Sequence, residues 1–167
     1  MKNLALVLAL TFSTLVISQN FEVPKNYTFK VEKDYAKYEK DIIKCINWLE
    51  NTPINQDTEK RKEANAFLMQ WLTGAPNVSI NLAPYVVDLT EKNPDLMMLF
   101  LGGWTKYALQ NPKDKSTFNG NLAGVKNLMT FYSNNEKTEI KKDKNIEKLL
   151  KLTETDLKKW LETKLIN

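Results

Sequence analysis

Apolar residues recur at every third or fourth position over most of the chain, the spacing of helices that bury one face. Tyr35, Tyr38, Ile42, Cys45 and Leu49 predict a first helix over residues 34–50, ended before Pro53. Ala64, Phe67, Leu68, Trp71 and Leu72 predict a second over 58–73, stopped by Gly74 and Pro76. A shorter piece starts at Pro84 and carries Val87. Asn93-Pro94-Asp95 combines a cap residue, a proline at the first helical position and an acid in the first turn, and predicts a helix to about Gln110. Phe118, Leu122, Val125, Leu128, Met129 and Tyr132 predict the next, over 117–133. The same spacing predicts helices over 136–152 and over 154–165, the last capped by Thr153 with Asp156 in the capping-box place. Six or seven helices joined by short loops give an all-α single domain of antiparallel helical hairpins.

Two stretches alternate instead. Tyr27, Phe29 and Val31 are apolar against Thr28 and Lys30; Val78, Ile80 and Leu82 are apolar against Ser79 and Asn81. This admits one short two-stranded ribbon, marginal unless helices cover it, with extended loop as the other reading. Phe67 and Trp71 recur as Phe100 and Trp104, but nothing else aligns at that offset, so a solenoid repeat is not supported.

Within "LFLGGWTKYAL" (99–109) two adjacent glycines interrupt a buried helical pattern. Each costs the helix about 0.8–1 kcal/mol relative to alanine. Gly102, Gly103, Trp104 and Tyr107 therefore mark a notch, for packing or for binding. Gly103 and Gly124 stand equally far from the loop centre near residues 113–114, so an antiparallel hairpin sets them face to face. Facing glycines let helix axes approach to about 8 Å.

The amino-terminal residues stand apart from this pattern. Lys2 precedes an apolar run from Leu4 to Ile17, shorter than the ~20 residues of a spanning helix. Residues 1–18 read as a cleaved signal peptide, and 19–167 as one α-helical domain, exported to the periplasm or secreted. A chain near 150 residues buries about 68–70% of its unfolded surface and needs no disulfide staples. The lone Cys45 shares a helix face with Ile42, Ile46 and Leu49, so burial is expected in place of an intermolecular disulfide.

With no histidine and one cysteine, histidine general bases and almost every transition-metal site are excluded. No clustered calcium loop, phosphate loop or dinucleotide fingerprint occurs, so neither a cofactor nor a metal is implied. Asp88, in YVVDLT, is the one acid set among apolar residues, and it reads first as a cap or turn residue. Of the net charge of +4, Lys2 contributes one; with both signs interspersed, a nucleic-acid footprint is not supported. Lys137, Lys141, Lys144, Lys148 and Lys151 fall on one stripe of the helix predicted over 136–152. That stripe suits an acidic partner or anionic surface, or is a solvated face. The four tryptophans fall one to a helix, as core residues do. The leading expectation is a non-catalytic helical module that acts by protein–protein interaction. The alternatives are a carboxylate-dependent hydrolase and a carrier of a small apolar ligand.

Overall fold

The computed structural model describes residues 21–166; the expected signal segment, residues 1–18, lies outside them. Within the described residues the chain forms seven helices and no strand, a single all-α domain. They are α1 (Glu32–Asn51), α2 (Thr58–Leu72), α3 (Pro84–Thr90), α4 (Asp95–Gln110), α5 (Thr117–Asn134), α6 (Lys144–Leu149) and α7 (Glu154–Leu165).

The central element is α4. It is apolar on nearly every side, and its residues from Leu99 to Thr105 are all buried. A helix of that kind must be covered all round. One side takes the α1–α2 hairpin, whose core contains Ile42, Ile46, Leu68 and Trp71. Another takes α5, the most extensive helix pairing of the fold, through Leu122, Val125 and Leu128. Then α3, α6 and α7 close the second core around Tyr85, Ile146 and Leu161. The expected core residues Phe67, Trp71, Phe100, Trp104, Leu128 and Tyr132 are all buried, the first two with α1 and the others around α4 and α5. Cys45 is fully buried, and its thiol donates to the Ala64 carbonyl at 3.4 Å.

The ribbon does not form. Neither alternating stretch pairs with the other: Tyr27, Phe29, Val78 and Ile80 pack against helices, while Val31 and Leu82 stay exposed. Tyr27 meets Phe67 edge-on at 4.8 Å between ring centroids, and Phe29 stacks on Tyr35 at 5.3 Å. Val78 is buried in the α1–α2 core.

The helix predicted over 136–152 shrinks to α6, six residues long. Hydrogen bonds from outside the segment hold residues 135–143 out of a helix, the first five of them in turns. Asn135, buried, ends α5 and accepts from the Ile54 N–H at 3.1 Å. Asn93 grips the Lys141 backbone twice, donating to its carbonyl and accepting from its N–H, both at 2.8 Å. The Asp143 N–H donates to the Tyr132 hydroxyl at 2.8 Å. Asp143, 1% exposed, then caps α6 by accepting from the Asn145 N–H at 2.7 Å. Asn93 accordingly spends its side chain on this clamp and makes no side-chain cap for α4. Thr153 does cap α7, accepting from the Asp156 N–H at 3.1 Å.

One residue bearing on the fold went unremarked in the sequence. Arg61 is the chain's only arginine, against many surface lysines, and it is 4% exposed. No basic residue occupies the last turn of α1. Arg61 supplies that charge from α2: it donates to the carbonyls of Leu49, Thr52 and Pro53 and lies over the rings of Trp48 and Phe131. A planar fork can serve several carbonyls and stack at once, which a lysine cannot. Its single occurrence in a lysine-rich chain was the available signal.

Candidate functional site

The two glycines resolve first. Successive helix residues point about 100° apart, so Gly102 and Gly103 face different neighbours. A Cβ on Gly102 would lie 3.2 Å from Ile46 Cγ2 of α1. One on Gly103 would lie 2.8 Å from the Ala123 carbonyl and 3.1 Å from Gly124 Cα of α5. The expected face-to-face pairing of Gly103 with Gly124 is therefore present. Gly124 in turn seats the Phe100 ring, and Gly120 receives the edge of the Trp104 indole. These glycines are a packing seam between α4 and its neighbours. Trp104 and Tyr107 also line an open cleft at the loop end of the α4–α5 hairpin. There the Tyr107 hydroxyl donates to the Asp114 carboxylate, which holds that carboxyl below its usual range.

The lysine stripe is not a single face. Lys137 and Lys141 lie in the non-helical segment before α6, Lys144 and Lys148 on α6, and Lys151 in the turn after it. The hydrogen bonds that pin residues 135–143 break the helical register the stripe requires. Lys137 and Lys151 line one cleft with Glu136 and Glu147, whereas Lys148 lines another.

That other cleft, of about 340 Å³, lies between α3, α6 and α7. Its apolar floor includes Tyr85, Leu89, Leu149 and Trp160, with Trp160 edge-on to Tyr85 at 5.3 Å. Tyr85 is fixed by donating its hydroxyl to Asn121 of α5. Lys148, Lys164 and Asp88 supply the charges, and Asp88 is the one carboxylate lining it. Asp88 is thus an exposed residue on α3 facing lysines, with no second acid in its cleft.

An adjoining cleft of about 550 Å³ shares Lys164 and runs past Leu82, Phe118, Leu165 and Ile166. Large apolar side chains left exposed gather here. Leu82, Leu152 (37% exposed) and Ile166 (84%) line the two clefts, and Val87 stands outward on the same α3. Exposed apolar side chains that border a cleft are candidates for an interaction site. Among the described residues, Lys148 and Lys164 make no ion pair. The charge distribution agrees with this location. Residues 137–166 hold nine lysines against six carboxylates, whereas residues 19–136 balance. The excess positive charge of the domain therefore belongs to the segment that builds this face. That asymmetry was legible in the sequence, but the joining of α3, α6 and α7 was not. No protein-family model, no curated protein and no solved structure matches the chain.

Proposed function

We propose that this chain is an exported, non-catalytic helical module that binds an acidic segment of a protein partner along α7. The observation that carries the reading is the pair of adjoining clefts. Apolar side chains floor them, exposed Leu152 and Ile166 stand at them, and Lys148 and Lys164, without an ion pair among the described residues, border them beside Asp88 and Glu162. An apolar floor on a face built by the net-positive segment 137–166 suits a partner segment that carries leucine-like anchors beside Asp or Glu.

The test uses synthetic amphipathic peptides with leucines at i, i+3 and i+4 spacing, one series carrying Glu and the other Lys at the polar positions. Fluorescence anisotropy should show the Glu series bound by the chain from Gln19 and the Lys series not. Leu152→Glu combined with Ile166→Glu should abolish that binding, whereas Met69→Glu, exposed on α2, should not. Equal binding of both series, or binding that survives the double variant, refutes the reading. So does binding to phosphatidylglycerol vesicles without binding to any peptide. Export rests on Lys2 and the apolar run that follows it. Mass spectrometry of protein recovered outside the cytoplasm should find Gln19 at the amino terminus, and a chain retaining Leu4 reverses the export reading.

A further inference from the structure

The cleft at the loop end of the α4–α5 hairpin adjoins the larger α7 cleft, with Asn81 and Thr117 lining both, but Leu152, Ile166, Lys148 and Lys164, which carry the reading above, do not line it. Its walls are the connecting segment 76–81, the last turns of α4 and the start of α5. It encloses about 400 Å³, within the range of about 300–1,000 Å³ usual for small-molecule sites.

The connecting segment directs Val78 into the core and Asn77, Ser79 and Asn81 to the cleft. Asn77 lies in the turn that opens this segment, and Ser79 and Asn81 follow it. Among the described residues, none of these three side chains makes a hydrogen bond within the protein. The wall is thus a row of amide and hydroxyl groups with their bonding capacity unspent. Trp104 also lines the cleft and is only 5% exposed. Its indole N–H has no acceptor among the described residues. It is nonetheless not sealed from solvent, unlike the unpaired Arg61 Nε and Asn65 Oδ1. A donor that reaches solvent at a cleft can be met by water, and a ligand oxygen can take that water's place.

The lining selects the ligand class. Its charges are Lys115 and Asp114, one of each sign. Asp114 already accepts from the Tyr107 hydroxyl, from Asn119 Nδ2 at 2.8 Å and from the Ser116 N–H at 2.8 Å. An anion approaching the start of α5 therefore meets a fixed carboxylate, and a cation meets Lys115. Pro76, Ala108 and the rings of Trp104 and Tyr107 are the apolar groups present, and the other seven lining residues are polar, so a wholly apolar ligand would leave amide and hydroxyl groups covered without partners. An uncharged molecule with several hydroxyls, and C–H groups to set against Tyr107, fits what remains. We propose that this cleft binds a neutral saccharide, with Asn77, Ser79 and Asn81 hydrogen-bonding its hydroxyls and the Trp104 indole N–H donating to one of its oxygens.

The chain from Gln19, labelled with nitrogen-15, should give four indole N–H cross-peaks, one per tryptophan. Trp104→Phe removes and so assigns one of them; through-bond correlation assigns it if that variant does not fold. Wild type is titrated with glucose, galactose, mannose and N-acetylglucosamine and with their β-1,4 dimers. At least one of these should shift the Trp104 cross-peak saturably, while those of Trp48, Trp71 and Trp160 hold still. Asn81→Ala, at an exposed position, should weaken that binding about tenfold, the loss of one well-made hydrogen bond. The proposal is overturned if no saccharide in the panel moves that cross-peak or if Asn81→Ala binds as wild type. It is also overturned if inorganic phosphate or an extended tetrapeptide moves the cross-peak and no saccharide does.

Discussion

Alanine at two adjacent positions should have unequal effects. A Cβ on Gly103 would meet Asn127 Cβ at 2.6 Å, the Ala123 carbonyl oxygen at 2.8 Å and Gly124 Cα at 3.1 Å. Two of these are backbone atoms and cannot rotate aside. Ordinary contact distances of about 3.5–4.0 Å are restored only if α4 and α5 separate by about 1 Å. That separation loosens Leu99 and Phe100 against Val125 and Leu128. It also strains the bond that Asn127 Nδ2 donates to the Leu99 carbonyl, 2.7 Å. Overpacking costs about 1–3 kcal/mol and the strained hydrogen bond about 1 kcal/mol. Alanine's better helix propensity returns about 0.8–1 kcal/mol. The net expectation for Gly103→Ala is a loss of about 1–3 kcal/mol. At Gly102 the nearest atom is the Ile46 Cγ2 methyl at 3.2 Å, a side chain that needs to give only slightly. There the propensity gain roughly offsets the crowding, so Gly102→Ala should stay within about 0.5 kcal/mol of wild type. Urea unfolding of both variants measures the difference, supported by melting temperatures at about 2–4 °C per kcal/mol for a domain of this size. The reasoning fails if Gly103→Ala is as stable as wild type, or if Gly102→Ala proves the more damaging of the two.

Arg61→Lys should destabilise by about 2–3 kcal/mol in the same urea assay, since an ammonium cannot serve the carbonyls of Leu49, Thr52 and Pro53 together; a stable Arg61→Lys would mean that the fork is dispensable. Burial pushes the Cys45 thiol up to about 12. Its neutral form therefore favours the fold fully below the ordinary thiol value, and this contribution declines as pH rises from about 8.5, where the unfolded thiol ionises, toward 12. Native protein at pH 8 should resist a thiol-reactive dye that labels it at once in urea, and rapid labelling of the native state would show that Cys45 is accessible. The hydrogen bonds from Tyr107, Asn119 and Ser116 lower the Asp114 carboxyl. Its stabilising effect is present above the ordinary carboxylate range and is lost as pH falls through the lowered native value. Tyr107→Phe should raise that value in a carbon-detected NMR titration and shift acid unfolding to higher pH, whereas an unchanged Asp114 titration would remove Tyr107 from the account.

Helix periodicity is a local property, so α1, α2, α4, α5 and α7 begin and end within two residues of where their apolar spacing sets them. The same locality explains the failure at 136–152. The groups that hold residues 135–143 out of a helix are Asn93, 48 positions from Lys141, and Tyr132, 11 positions from Asp143. A helix-length window contains the second pair but never Asn93 with Lys141. The lysine stripe was lost with the helix, because a stripe exists only where the helical repeat is unbroken. Trp160 reads by its spacing as core, yet it is half-buried and lines a cleft.

The candidate sites divide in the same way. An even number of residues on each side of a short loop was enough to set Gly103 against Gly124, because an antiparallel hairpin has one register. An excess of lysine after residue 136 was enough to assign the charge to the carboxyl-terminal segment. Neither could show that Asp88, Lys148 and Lys164, from three helices, border one cleft, or that Asn77, Ser79 and Asn81 line another beside Trp104. Apolar spacing determines which face of a helix turns inward. Which outward faces come to border one another depends on how the helices cross, and that is decided by buried contacts between residues far apart in the chain.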